Sequence, residues 1–189
     1  MSTYTDFAGM STAQADEYLR QFLAEQAGAL ARFASAISVP LQYTPECLDA
    51  VWDATVPQLR WRRGYVPPAL GQPGPVISPD QLEPPAELPS WFHHPSAAGY
   101  ARFSASTLWL IDGAGRYFCE FLVQNEGARW ASGRSGAKDY LYQNQPVIVG
   151  AGPAAFSPFQ TCAVLSSRAL RGGTERGPRT LRDVWRQLT

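Results

Sequence analysis

Ten of the sixteen prolines fall between residues 57 and 95, where Gly64, Gly71 and Gly74 are interleaved with them. Proline has no N–H and a fixed φ, so such a stretch cannot sustain a regular helix or a sheet ladder over most of its length. It also carries Trp61, Tyr65, Val66, Val76, Ile77, Leu82, Leu88, Trp91 and Phe92, too much large apolar surface to leave in water. Residues 58–103 are therefore expected to form an extended loop that wraps on the rest of the chain. Loops this long are uncommon without a functional reason, which makes the wrap a candidate partner-binding surface as well as a structural one.

The flanks of the loop read as regular structure. From Ser11 to Ile37, apolar residues Ala15, Tyr18, Leu19, Phe22, Leu23, Leu30, Phe33 and Ile37 recur at steps of three and four, the period of an amphipathic helix. One long first helix is expected, capped at Ser11 or Thr12 and stopping before Pro40. Thr44-Pro45 opens a shorter second helix up to Pro57. Ser104 opens the strongest periodic segment, with Leu108, Ile111, Phe118 and Leu122 on one face and Leu110, Tyr117 and Phe121 widening it; Gly127 is placed to end it. Residues 128–131 and 140–149 read as strands, with Pro146 confining the second to an edge or splitting it. Helices beginning at Pro158 and Thr180 complete the order.

With 45% hydrophobic and 17% charged residues over 189 positions, the chain can bury one core. The predicted fold is α+β: a mainly helical single domain over residues 1–189 with a small antiparallel sheet. Its parts are a helical segment 1–57, the Pro-rich loop 58–103, and the central helix, sheet and last helices in 104–189.

Sixteen basic and sixteen acidic side chains cancel, which argues against a general nucleic-acid binder. The charge is uneven nonetheless: residues 1–58 hold seven acids against Arg20 and Arg32, and residues 160–189 hold six arginines against Glu175 and Asp183. Either the two ends attract each other or each attracts a partner. Cys47, Cys119 and Cys162 form no CxxC pair, so neither a disulfide framework nor a zinc site is encoded, and a reducing, cytoplasmic setting is expected. No run of about 18 apolar residues spans a membrane, and no secretory signal is evident.

Candidate chemistry is sparse. His93 and His94 are the only histidines, so any imidazole base must be one of them; adjacent rings rarely converge on one metal. Asp112, Arg116 and Glu120 stand at four-residue spacing, which reads as a solvated ladder of alternating charge rather than a catalytic carboxylate pair. Asp112-Gly113-Ala114-Gly115 lacks the third glycine of a dinucleotide turn, and inside a helical pattern its glycines are expected to admit a neighbouring helix. Cys119 and Cys162 lie on apolar faces, as inert cysteines do. No cofactor motif is present. Leu59-Arg60-Trp61-Arg62-Arg63-Gly64-Tyr65 interleaves arginine with aromatics, the composition of protein-interface anchors and of nucleic-acid stacking platforms alike.

The run Leu110-Ile-Asp-Gly-Ala-Gly-Arg-Tyr-Phe-Cys-Glu-Phe-Leu-Val, followed by Ala128-Arg-Trp and Asn144-Gln-Pro-Val-Ile-Val, resembles uncharacterised actinobacterial domains and immunity-protein-like α+β domains. In those, a helix of the form G-x-Y-x-G-E-x-L leads to a tryptophan-bearing strand. The resemblance covers about residues 105–165, and Cys119 departs from it at the second small position. It implies a non-enzymatic protein that binds a cognate partner such as a bacterial toxin, and it transfers no catalytic residue.

The expected function is accordingly a protein-binding module, with Trp61, Arg62, Arg63, Tyr65, Trp91, Phe92, His93 and His94 as the candidate interface. Two alternatives stand beside it. One is a small hydrolase-like enzyme in which His93 or His94 meets Asp112 or Glu120; the other is an assembly subunit whose apolar loop is covered by a second copy of the chain.

Overall fold

A computed structural model describes residues 4–69, 71–78, 81–92, 99–137, 139–173 and 176–189. The order is α1 (Thr12–Ala24), α2 (Gln26–Ile37), α3 (Pro45–Thr55), the Pro-rich strap, α4 (Ala105–Glu126), β1 (Arg129–Ser132), β2 (Pro146–Val149), α5 (Pro158–Leu170) and α6 (Leu181–Leu188). The fold is thus mainly helical α+β, with one two-stranded antiparallel sheet among the described residues.

α4 is the axis of the fold. Its N-cap Ser104 accepts a hydrogen bond from the Thr107 N–H, and Gly127 closes it in the left-handed region at φ 66°. Between these caps the helix is enclosed nearly all round, with Leu108, Ile111, Tyr117, Phe118, Phe121 and Leu122 in the core. α2 and α5 make the broadest contacts with it, and the two glycines make that possible. A Cβ on Gly113 would overlap the Phe33 ring of α2, and one on Gly115 would press on Phe159 of α5. The expectation that these glycines admit neighbouring helices holds on both sides.

The expected single first helix is two. The chain breaks at Glu25, whose φ and ψ are −83° and −7°, and not at the weak helix former Gly28. Arg116 explains the position: its Nη1 donates to the Phe22 carbonyl at 2.9 Å and to Gln26 Oε1 at 3.0 Å. The Phe22 carbonyl is the acceptor that residue 26 would use in a continuous helix. A buried guanidinium has taken it instead.

The sheet pairs Arg129 with Val149, Trp130 with Ile148, Ala131 with Val147 and Ser132 with Pro146. Pro146 opens β2, so the expected strand over 140–149 shortens to four residues. Residues 141–144 form a turn instead, in which Asn144 sits at φ 62° and its amide donates to the Phe7 and Met10 carbonyls at 2.8 and 2.9 Å. β1 lies against α1 and α4.

The opposite charges at the two ends meet within the fold. α6 packs on α3, where Arg182 Nη1 reaches Asp49 Oδ2 at 2.6 Å and its Nη2 lies 3.4 Å from Glu46 Oε1. The Trp185 indole N–H donates to Glu126 Oε1 at 2.7 Å, which pins α6 to the end of α4.

Candidate functional site

The Pro-rich strap is held by a few side chains rather than by a ladder. It enters beside α4, where the Arg60 N–H donates to Thr107 Oγ1 at 2.7 Å and Thr107 Oγ1 donates back to the Arg60 carbonyl at 3.0 Å. Trp61 then forms a single antiparallel bridge with Phe103, its ring stacked on Phe103 at 5.3 Å and tilted against Tyr65 at 5.2 Å. Arg62 Nη1 donates to the Gln81 carbonyl at 2.7 Å, tying one limb of the strap to the other.

These contacts divide the candidate interface. Trp61 and Arg62 are half-buried in the strap's own packing, Arg63 is exposed, and Tyr65 is partly exposed. Trp91 and Phe92 are core residues rather than surface ones, which corrects the expectation for that pair. Trp91 stacks face to face on Phe159 at 4.5 Å, and a large ring that finds such a partner gains more by burial than by display. His93 and His94 lie outside the described residues.

Two apolar residues that sequence reasoning placed in the packed part of the loop are instead outside it: Val66 is 75% exposed and Val76 96%. Beside them a shallow groove of about 420 Å³ is lined by Tyr65, Pro68, Val76, Ile77, Arg102 and Arg171, among others. Arg171 Nη1 donates to the Pro68 carbonyl at 2.8 Å, and Arg102 lies over the Phe103 ring. From residue 59 to residue 78 the chain has three arginines and no acid.

On α4, the expected solvated ladder is overturned. Asp112 is 3% exposed and Arg116 2%. Arg116 Nε donates to Asp112 Oδ1 at 3.0 Å, the Trp91 indole N–H donates to the same oxygen at 3.0 Å, and the guanidinium lies 3.5 Å over the Phe22 ring. The reason lies in what packs over the pair: the Phe22 ring covers the guanidinium and the Trp91 indole holds the carboxylate, which leaves little of either open to water. Burial pushes the Asp112 carboxyl above its ordinary range, and the Arg116 charge, the hydrogen bonds from Arg116 and Trp91, and the more distant Arg32 pull against that shift. Glu120 is partly exposed and accepts from Gln124 Nε2 at 2.9 Å. It stands about 12 Å further along the helix than Asp112, too far for the two carboxylates to act on one bond.

A second groove, of about 500 Å³, runs between α2 and the first turns of α4, lined by Ala29, Arg32, Phe33, Ala36, Gln58, Ser106, Trp109, Leu110 and Asp112. Trp109 stands at its edge, 41% exposed, with its indole N–H fixed to the Glu87 carbonyl at 2.9 Å. No pattern of spacing in the sequence marks this groove. The available signal was Trp109 itself, a large aromatic off the main apolar stripe of α4.

Cys119 and Cys162 are fully buried, and burial pushes both thiols up, away from thiolate reactivity. Among the described residues, no three of histidine, cysteine, aspartate and glutamate are grouped to hold a metal, and no helix is long and apolar enough to cross a membrane. The chain matches no protein-family model, no curated protein and no solved structure.

Proposed function

We propose that this chain is a non-enzymatic protein-binding module whose contact surface is the outer edge of the Pro-rich strap. The observation that carries the reading is the exposure of Val66 and Val76 beside Tyr65 and Arg63, on a strap whose other large apolar side chains are, among the described residues, buried or partly buried. Exposed β-branched residues next to tyrosine and arginine are the makings of an interface anchor. A proline-stiffened segment, moored at Thr107 and Phe103, loses little freedom on binding. With three arginines and no acid between residues 59 and 78, the strap suits an acidic protein surface.

The resemblance over residues 105–165 supports an immunity-type role, in which the partner is a cognate toxin that the module neutralises. The cytoplasm is the compartment that suits three free thiols. The test is affinity capture from lysate of the source organism, with intact mass analysis of what is retained. One stoichiometric acidic protein is expected, and a Val66→Asp/Val76→Asp variant should lose it while melting at the parental temperature. Trp61 and Arg62 are poor probes, because both hold the strap together. Retention of the partner by the double variant, or a monomer that instead pairs with itself as concentration rises, would refute this reading.

A further inference from the structure

We infer that the groove between α2 and α4 is a binding site for a small, largely apolar molecule carrying one hydrogen-bond donor, which is received by Asp112. The inference is independent of the strap and of any protein partner.

Its volume of about 500 Å³ lies within the range of small-molecule sites, and so does its composition of mainly apolar walls with a few convergent polar groups. Phe33 and Leu110 are core residues at its floor, Ala29 and Ala36 keep the α2 wall low, and Trp109 closes the rim. Trp109 is not a loose surface ring. Its bond to the Glu87 carbonyl fixes the indole plane, so the aromatic wall exists before any ligand arrives.

Asp112 supplies the polar end. Both of its hydrogen bonds fall on Oδ1, and Asp112 is one of the residues that line the groove. Oδ2, which takes neither of these bonds, is the oxygen we assign to the ligand's donor. Trp91 and Arg116 orient the carboxylate as neighbouring groups orient a metal ligand or a catalytic acid, so the acceptor is preorganised. A buried ion pair is seldom the most stable filling for a core and is weak evidence for stability. At the floor of an apolar groove it acquires a reason to be there, since a hydrophobic replacement could not receive a donor. Arg32, exposed on the α2 rim, adds a cation at the mouth, which disfavours a second positive charge on the ligand. A neutral aromatic N–H or O–H compound is the class that satisfies both ends.

Indole and its sulfur isostere benzothiophene are suitable probes, because they match in shape and differ in the N–H donor. Titration followed by proton–nitrogen correlation spectra is expected to show saturable shifts of the Trp109 and Trp91 indole N–H signals with indole, the latter because Trp91 shares the Asp112 carboxylate. Indole should bind at least about tenfold more tightly than benzothiophene, since its hydrogen bond is to a charged acceptor. Ala36→Trp fills the groove from an exposed helix position and should abolish the shifts without lowering the melting temperature. Should indole fail to saturate, bind Ala36→Trp as well as the parent, or bind no better than benzothiophene, the proposal is overturned.

Discussion

The central helix and the Pro-rich strap both deliver aromatic rings to the same core, yet they are organised by opposite means. α4 satisfies its backbone internally and can therefore bury almost its whole circumference, including an ion pair that is nearly all withdrawn from water. The strap cannot satisfy its backbone internally, so it is moored at isolated points: Thr107, the Trp61–Phe103 bridge and the Trp91–Asp112 bond. Between moorings its residues are free to face outward, as Val66 and Val76 do. The comparison teaches that proline content separates the two roles within one chain: where the ladder is closed, side chains serve the core, and where it is broken, some remain for other uses.

Three measurements bear on this contrast. The largest effect is expected for Arg116→Leu, which leaves the Asp112 carboxylate buried without its cation; removing one partner of a buried pair costs about 3–5 kcal/mol, to be read by urea denaturation. If the double change Asp112→Asn/Arg116→Leu costs as much as the single one, the pair is not what organises this level of α4. The second is an alkaline loss of stability shared by both regions. Burial raises the phenols of Tyr117 on α4 and Tyr100 on the strap above their ordinary value, and the Tyr117 hydroxyl donates to the Gln42 carbonyl at 2.7 Å. Their contribution is fully present below the unfolded pKa of about 10 and declines as pH rises above it toward the folded values, because only the unfolded chain then releases the protons. Melting temperatures between pH 8 and 11 would show it, and Tyr117→Phe against Tyr100→Phe would apportion it between helix and strap. The smallest effect belongs to Val66→Ser and Val76→Ser, each expected to leave stability within about 0.5 kcal/mol by denaturation; a larger loss from either would mean that the strap's outer edge serves the fold.

Much of this architecture was legible in the chain itself. Period and caps placed α3, α4, α5 and α6, because each opens on an N-cap residue or a proline at the first helical turn. What was not legible depended on partners distant in sequence. The break at Glu25 comes from a guanidinium 94 residues away from the carbonyl it binds, and no local pattern encodes it. The burial of Asp112 and Arg116 was hidden by a spacing that is identical in solvated ladders. Trp91 and Val76 exchanged expected roles because apolar character in an irregular loop says that something is buried, without saying which residue. The groove formed by α2 and α4 joins segments separated by the whole strap and could not be assembled from either one alone.

The link between Arg116 and the Phe22 carbonyl also orders events in time. During synthesis, α1 and α2 emerge long before α4 exists, and until then the Gln26 N–H is the natural donor to the Phe22 carbonyl. The nascent N-terminal segment is free to run as one straight rod. Arrival of Arg116 would take that carbonyl and divide the rod into the two helices of the finished fold, so the shape of an earlier-made segment is decided by a residue made later.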